Sequence, residues 1–344
     1  MKRRITSCSF ATLVLLAAVA APANAYHVAR EIKLPGAEGW DCLAFDSRRA
    51  RLYVTHGTHV EVLDAAKLSL AGSIADTPGV HGVAIADSLG RGYVSAGASG
   101  SVVVFDLKSL ARIVEIKTTG ENPDAILYEP TSRRVFAFNG RGRNVTAIDA
   151  RKNEVVGTIA LDAKPEFAVA DGAGRVFVNL EDRNSIAAID PKGLAVAATW
   201  PLANCEEPTG LAIDRAHHRL FAACGNKVMV VVDSTTGHAV AEVPIGAGVD
   251  GAEFDPSRQL AFAPGGDGTL TVIKEETPNR FAVVETVTTK AGARTMTLDE
   301  RTHRVFLSTA QRNPPPAATP EQPHPRPTVV PDTFEVLVVE PDTR

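Results

Sequence analysis

Short apolar runs rich in Val, Ile, Leu and Phe alternate with polar turns along the chain, and the alternation recurs seven times at a spacing of 40 to 44 residues. Each repeat begins with an apolar β-branched strand, turns, and continues into a strand that carries an aromatic. A third strand follows and then a fourth, more polar one. The aromatics are Tyr53, Tyr93, Phe136, Phe177, Phe221, Phe262 and Phe306. In six repeats a basic residue stands two positions earlier: Arg51, Arg91, Arg134, Arg175, Arg219 and Arg304. The third strands end on Asp64, Asp106, Asp149, Asp190 and Asp233, with Lys274 breaking the pattern in the sixth repeat. A four-strand unit of this period predicts a propeller blade, because one such sheet cannot bury both its faces and radial stacking buries them against neighbours.

The ends of the pattern predict how the ring closes. The segment Val28 to Leu34 reads like the fourth strands at Ile113 to Ile116 and Val240 to Ile245, while the last repeat has three strands and stops after Phe334 to Val339. The N-terminal strand is therefore expected to complete the last blade; an open solenoid would leave it as an unpaired edge. The expected fold class is all-β, a seven-bladed propeller of four-stranded blades, forming a single domain over residues 26–344. One stretch departs from the repeat. The Pro-rich insertion at about 311–332 (NPPPAATPEQPHPRP at its centre) falls between the second and third strands of the last blade. Proline at this density cannot support a ladder, so an extended surface loop is expected, with a lid or a partner-docking segment as the alternative.

Residues 1–25 read as a signal peptide: basic Lys2, Arg3 and Arg4, an apolar run from Phe10 to Ala21, and a small-x-small site at Ala23-Asn24-Ala25. The apolar run is short for a bilayer span, so no membrane span is expected after its removal, and the chain is expected to be periplasmic or secreted. Removing Lys2, Arg3 and Arg4 takes 36 basic residues to 33 against 40 acidic ones, a net charge of −7 with His neutral. That balance and the low aromatic content, 6%, argue against a nucleic-acid surface, which needs clustered cations with stacking rings. Export permits a disulfide. Cys205 precedes the inner strand of blade five and Cys224 ends the antiparallel strand beside it, so these two are expected to bridge and Cys42 to remain free.

Aligning the repeats places one residue per blade at the mouth of the central channel: Asp41, His81, Asp124, Glu166, Thr209, Asp250 and Arg294, at intervals of 40, 43, 42, 43, 41 and 44. The Gly and Pro around them suit a tight turn into the innermost strand. Four converging carboxylates need a cation, a proton or Arg294 to compensate them. Three readings follow: a water-filled mouth solvated by its charges; a divalent metal such as calcium held by Asp41, Asp124, Glu166 and Asp250; or an anionic or polar ligand held by Arg294 and His81. A second, deeper ring is expected from the ends of the aromatic strands: His56, Asn139, Asn179, Glu181 and Cys224. His56 and His81 come from adjacent blades and are expected to be able to converge. No Gly-rich phosphate loop, GxSxG elbow or HExxH motif is present.

The repeat resembles the YVTN-repeat (YncE-like) family of exported seven-bladed propellers. The resemblance is carried by Arg51-Leu-Tyr-Val-Thr, Arg91-Gly-Tyr-Val-Ser, Arg304-Val-Phe-Leu-Ser and Gly120-Glu-Asn-Pro-Asp-Ala-Ile. It covers nearly all of the mature chain and implies the fold more than a function; some relatives are described as DNA-binding and others are grouped with lactonases. The chain departs from the family pattern in several blades, for example at Phe262-Ala-Pro-Gly-Gly-Asp. The first expectation is a monomeric binding module that recognises a small molecule or a protein at the charged mouth. The alternative is a metal-assisted hydrolase, lactonase or esterase-like, with His81 as base. Single-stranded DNA binding follows from the resemblance alone.

Overall fold

Strand alternation decides the architecture. In every second strand the aromatic and the residue after it point to opposite faces, and both are apolar. Tyr53, Tyr93, Phe136, Phe177, Phe221, Phe262 and Phe306 are all fully buried. In the computed structural model, which describes residues 25–342 apart from 318, 320–324 and 326, these strands sit in seven four-stranded antiparallel sheets. The predicted signal peptide lies outside the described residues but for Ala25.

The apolar side chains divide into seven clusters, and each spans two adjacent blades. Each aromatic anchor faces the blade that follows it: Tyr53 packs beside Phe105 of blade two, with ring centroids 5.7 Å apart, and Phe221 stacks on Phe254 of blade six at 5.0 Å. The residue after the anchor faces the blade before. The fold therefore has no single centre; stability is distributed over seven equivalent interfaces.

Tyr26–Lys33 pairs antiparallel with Glu335–Pro341 as the outer strand of blade seven, whose order is completed by Arg304–Thr309 and Met296–Asp299. The N-terminal strand thus closes the ring. Among the described residues no helix is long and apolar enough to cross a membrane.

The recurrent polar residues are structural. Each third-strand Asp caps the turn that follows, as Asp64 Oδ1 accepts the N–H groups of Ala66 and Lys67 at 3.0 and 2.9 Å. Lys274 cannot do this, and blade six instead continues into a long hairpin, Thr269–Thr277 with Arg280–Thr288. Four of the six arginines ahead of the anchors reach the next blade. Arg51, Arg91 and Arg134 donate to the carbonyls of Leu107, Ala150 and Pro191, and Arg219 donates to Pro278.

Cys205 and Cys224 are joined by a disulfide with Cα atoms 5.4 Å apart, and Cys42 is free. The feet of the Pro-rich insertion are ordered: Arg312 bridges Val329, Asn313 N–H donates to Thr328, and the Arg312 guanidinium lies 4.8 Å from the Trp40 ring centroid.

Candidate functional site

The seven residues aligned at the channel mouth line one cavity of about 1200 Å³. A local backbone device aims the first five. In blades one to five the inner strand gains one extra residue against its neighbour, between Trp40 and Leu43, Val80 and Val83, Pro123 and Ile126, Pro165 and Ala168, and Pro208 and Leu211. Asp41, His81, Asp124, Glu166 and Thr209 occupy these bulges, which turn a side chain away from the sheet. In blades six and seven the inner strands are shorter, so Asp250 and Arg294 stand just before Glu253–Asp255 and Met296–Asp299.

A buried hydroxyl and amide collar fixes the bulged backbone. Two residues after the anchor, the side chain again faces the following blade, and in blades one, two, four and seven it is polar. Ser95 accepts the Gly82 N–H at 2.9 Å and donates to the Asp124 carbonyl of blade three at 2.5 Å. Asn179 donates to the carbonyls of Thr209 and Gly210 in blade five at 3.0 and 2.9 Å. Thr55 accepts from Asp41 N–H and donates to the Cys42 carbonyl, and Thr295 of blade seven donates to the Asp41 carbonyl at 2.7 Å. Sequence reasoning missed this collar; its signal was Thr55, Ser95, Asn179 and Ser308, two places after four of the seven anchors.

The charges are paired unequally. His81 Nδ1 lies 2.5 Å from Asp41 Oδ2 and 3.5 Å from Asp124 Oδ1. Burial opposes a charged imidazole, but the Asp41 hydrogen bond and the charges of Asp124 and Asp41 outweigh it and lift His81 to about 9. Lys164 bridges Glu166 at 2.6 Å and Glu181, and Arg294 meets Asp250 at 3.2 Å. Burial nonetheless pushes Asp124 up to about 6, Asp250 to about 7 and Glu166 to about 8, with the other carboxylates adding to each. Seven carboxylates and six cationic side chains, counting the His81 imidazolium, line the cavity, and three of those carboxylates hold a proton well above the ordinary range.

The four carboxylates do not gather into one metal set. At the mouth the compact donor group among the described residues is Asp41, His81 and Asp124, within 4.8 Å of one another, while Glu166 and Asp250 carry their own cations. His81 is held as an imidazolium at neutral pH, which disqualifies it as a ready proton acceptor.

The deeper set is not one ring. Glu181 lines the cavity and Asn179 belongs to the collar. Asn139 donates within its own blade to Asn144 and Thr146 at 2.6 and 2.9 Å, and Cys224 is spent in the disulfide. His56 does not converge with His81: it packs on Phe334 of blade seven, centroids 4.3 Å apart, and beside His59. The reason is strand parity. His56 and Asn139 stand three places after their anchors and Asn179 two, and one place along a strand reverses the face.

The insertion contributes to the mouth as well. Arg312, Pro327, Thr328 and Val329 line the cavity above Trp40, so its feet form part of the wall.

No family model and no curated protein matches the chain. Its structure is similar to a chain in the crystal structure of a mitotic checkpoint complex, with a TM-score of 0.74 at 13% identity, covering 99% of both chains. It is also similar to the structure of U3-55K, with a TM-score of 0.74 at 6% identity, covering 90% of this chain and 97% of that one. At such identities the likeness establishes the seven-bladed propeller and nothing finer.

Proposed function

We propose that this protein is an exported binding module whose channel mouth recognises a polar ligand, a small molecule or a protein segment, that presents a cationic group. One observation carries the reading: a residue from every blade, together with the feet of the insertion, encloses a single cavity whose carboxylates are incompletely neutralised. A cation entering there replaces protons or partial partners and restores full ionisation. Propellers commonly serve as protein-interaction scaffolds, and one of the similar structures is of a complex. The Cys205–Cys224 disulfide supports an oxidising compartment, in keeping with the YVTN-type repeat and the signal-like N-terminus. The hydrolase reading has less support, because its base, His81, is occupied as a counter-ion between two carboxylates.

Calorimetric titration with lysine- and arginine-bearing peptides and with polyamines tests the proposal. A ligand of this class should bind at least tenfold more weakly to Asp124→Asn and to Glu166→Gln, and unchanged to Asp106→Asn, whose carboxylate caps a turn far from the mouth. Binding that all three variants retain would place the site elsewhere.

A further inference from the structure

Blade one carries a second cluster of donors, apart from the channel ring. His56 and His59 stand directly opposite each other across the turn at Gly57 and Thr58, and Glu61 follows two residues later on the same strand. A ring nitrogen of each histidine and a Glu61 oxygen lie within 4.8 Å of one another. His59 Nε2 is 3.1 Å from Glu61 Oε1. A fourth donor comes from the loop before the first inner strand: Glu38 Oε2 is 3.7 Å from His56 Nε2.

Two independent features mark this cluster as built for an occupant. His56 is completely buried, yet neither of its ring nitrogens has a hydrogen-bond partner, a cost that native interiors rarely carry without a compensating ligand. The space beside it is also kept clear. Gly36 adopts φ +127°, and a Cβ there would come within 2.7 Å of both the His56 ring and the Glu38 carboxylate. Phe334 fixes the plane of the His56 ring from below.

We propose that His56, His59, Glu61 and Glu38 form a binding site for a zinc-class divalent transition-metal ion at the junction of blades one and seven. Two imidazoles with two carboxylates match zinc, and next to it copper(II) or nickel(II), whereas calcium and magnesium take oxygen donors. Four protein ligands make a closed, structural site. In a tetrahedral shell at 2.0–2.1 Å the donors are about 3.3 Å apart, so the ion draws the cluster together by side-chain rotation. His59 and Glu38, 25% and 44% exposed, have the freedom to do so and give the ion its path. A filled site would tie the loop before blade one to the turn between its second and third strands, next to the wall of the mouth.

The test uses the tag-free mature chain, stripped with a chelator and dialysed against zinc chloride, with bound metal read by elemental mass spectrometry. One zinc per chain is expected, and cobalt(II) in its place should give the visible bands of a four-coordinate site. Affinity should fall at least tenfold in His59→Ala and in Glu38→Gln and persist in His217→Ala, which alters the separate Asp214–His217–Glu275 cluster. Zinc should raise the melting temperature of the wild type but not of Glu38→Gln, while circular dichroism checks that both variants remain folded. Failure of the folded wild type to bind zinc or cobalt overturns the proposal, as does metal binding that His59→Ala and Glu38→Gln both retain.

Discussion

At the scale of single residues, protons govern the mouth. Asp124, Asp250 and Glu166 hold protons to about 6, 7 and 8 in the folded chain, against ordinary values of 3.8, 3.8 and 4.5, and His81 to about 9 against 6.5. Over these intervals the folded state binds more protons than the unfolded one, so the contribution of all four groups to stability is full at low pH and declines as pH rises. Melting temperature, corrected for the rest of the chain by comparison with variants, should therefore fall between about pH 5 and 9. Asp124→Asn and Glu166→Gln should flatten that slope and melt higher than wild type at pH 8. A steeper slope in these variants would refute the assignment. The collar residues should behave oppositely. Ser95→Ala leaves the Gly82 N–H and the Asp124 carbonyl without their partner, at a cost of about 1–3 kcal/mol, which a urea melt resolves.

At the scale of the elements, links between strands and turns set local strength. The disulfide ties the loop ahead of the inner strand of blade five to the end of its neighbour across 19 residues. Closing such a loop is worth about 3 kcal/mol in the chain-entropy account, so reduction should lower the melting temperature by several degrees. Alkylation in the native state without reductant should leave Cys205 and Cys224 unlabelled and label Cys42 slowly, because burial and then the nearby Asp41, Asp124 and Asp250 push its thiol well above the usual range. Rapid labelling of Cys42 would mean that its surroundings are more open. The arginine links differ in kind: each joins one blade to a turn of the next, so Arg91→Met should loosen blade two from blade three, seen as faster amide exchange in the turn at Ala150 and Arg151.

At the scale of the whole molecule, closure is the point on which seven similar interfaces depend. The strand Tyr26–Lys33 supplies the outer edge of the last blade, and Tyr26 also packs on Phe262 of blade six with centroids 5.3 Å apart. Removing residues 26–33 should expose Glu335–Pro341 as a free edge and loosen the contact between blades six and seven. The truncated chain is expected to melt well below the full one and to self-associate on sizing. Unchanged melting would show that the ring holds without its closing strand.

The number of blades, the strand order, the closing strand and the membership of the channel ring were legible in the chain, because each is set by local periodicity repeated seven times. A Tyr or Phe at a fixed place in every blade must be buried, and a residue at the entry of every inner strand must meet its counterparts at the axis. The Cys205–Cys224 pairing was legible for the same reason, since it follows from strands adjacent in one hairpin. Three things were decided only by tertiary structure. Partners across blades, such as His81 with Asp41 and Asp124, depend on side-chain reach over an interface that no sequence spacing encodes. The faces taken by His56, Asn139 and Asn179 depend on a single-residue offset from the anchor, which a repeat alignment tolerant of one position does not resolve. The bulges that turn Asp41 to Thr209 into the channel arise where the inner strand carries one residue more than its neighbour, and that mismatch exists only once the two strands are paired.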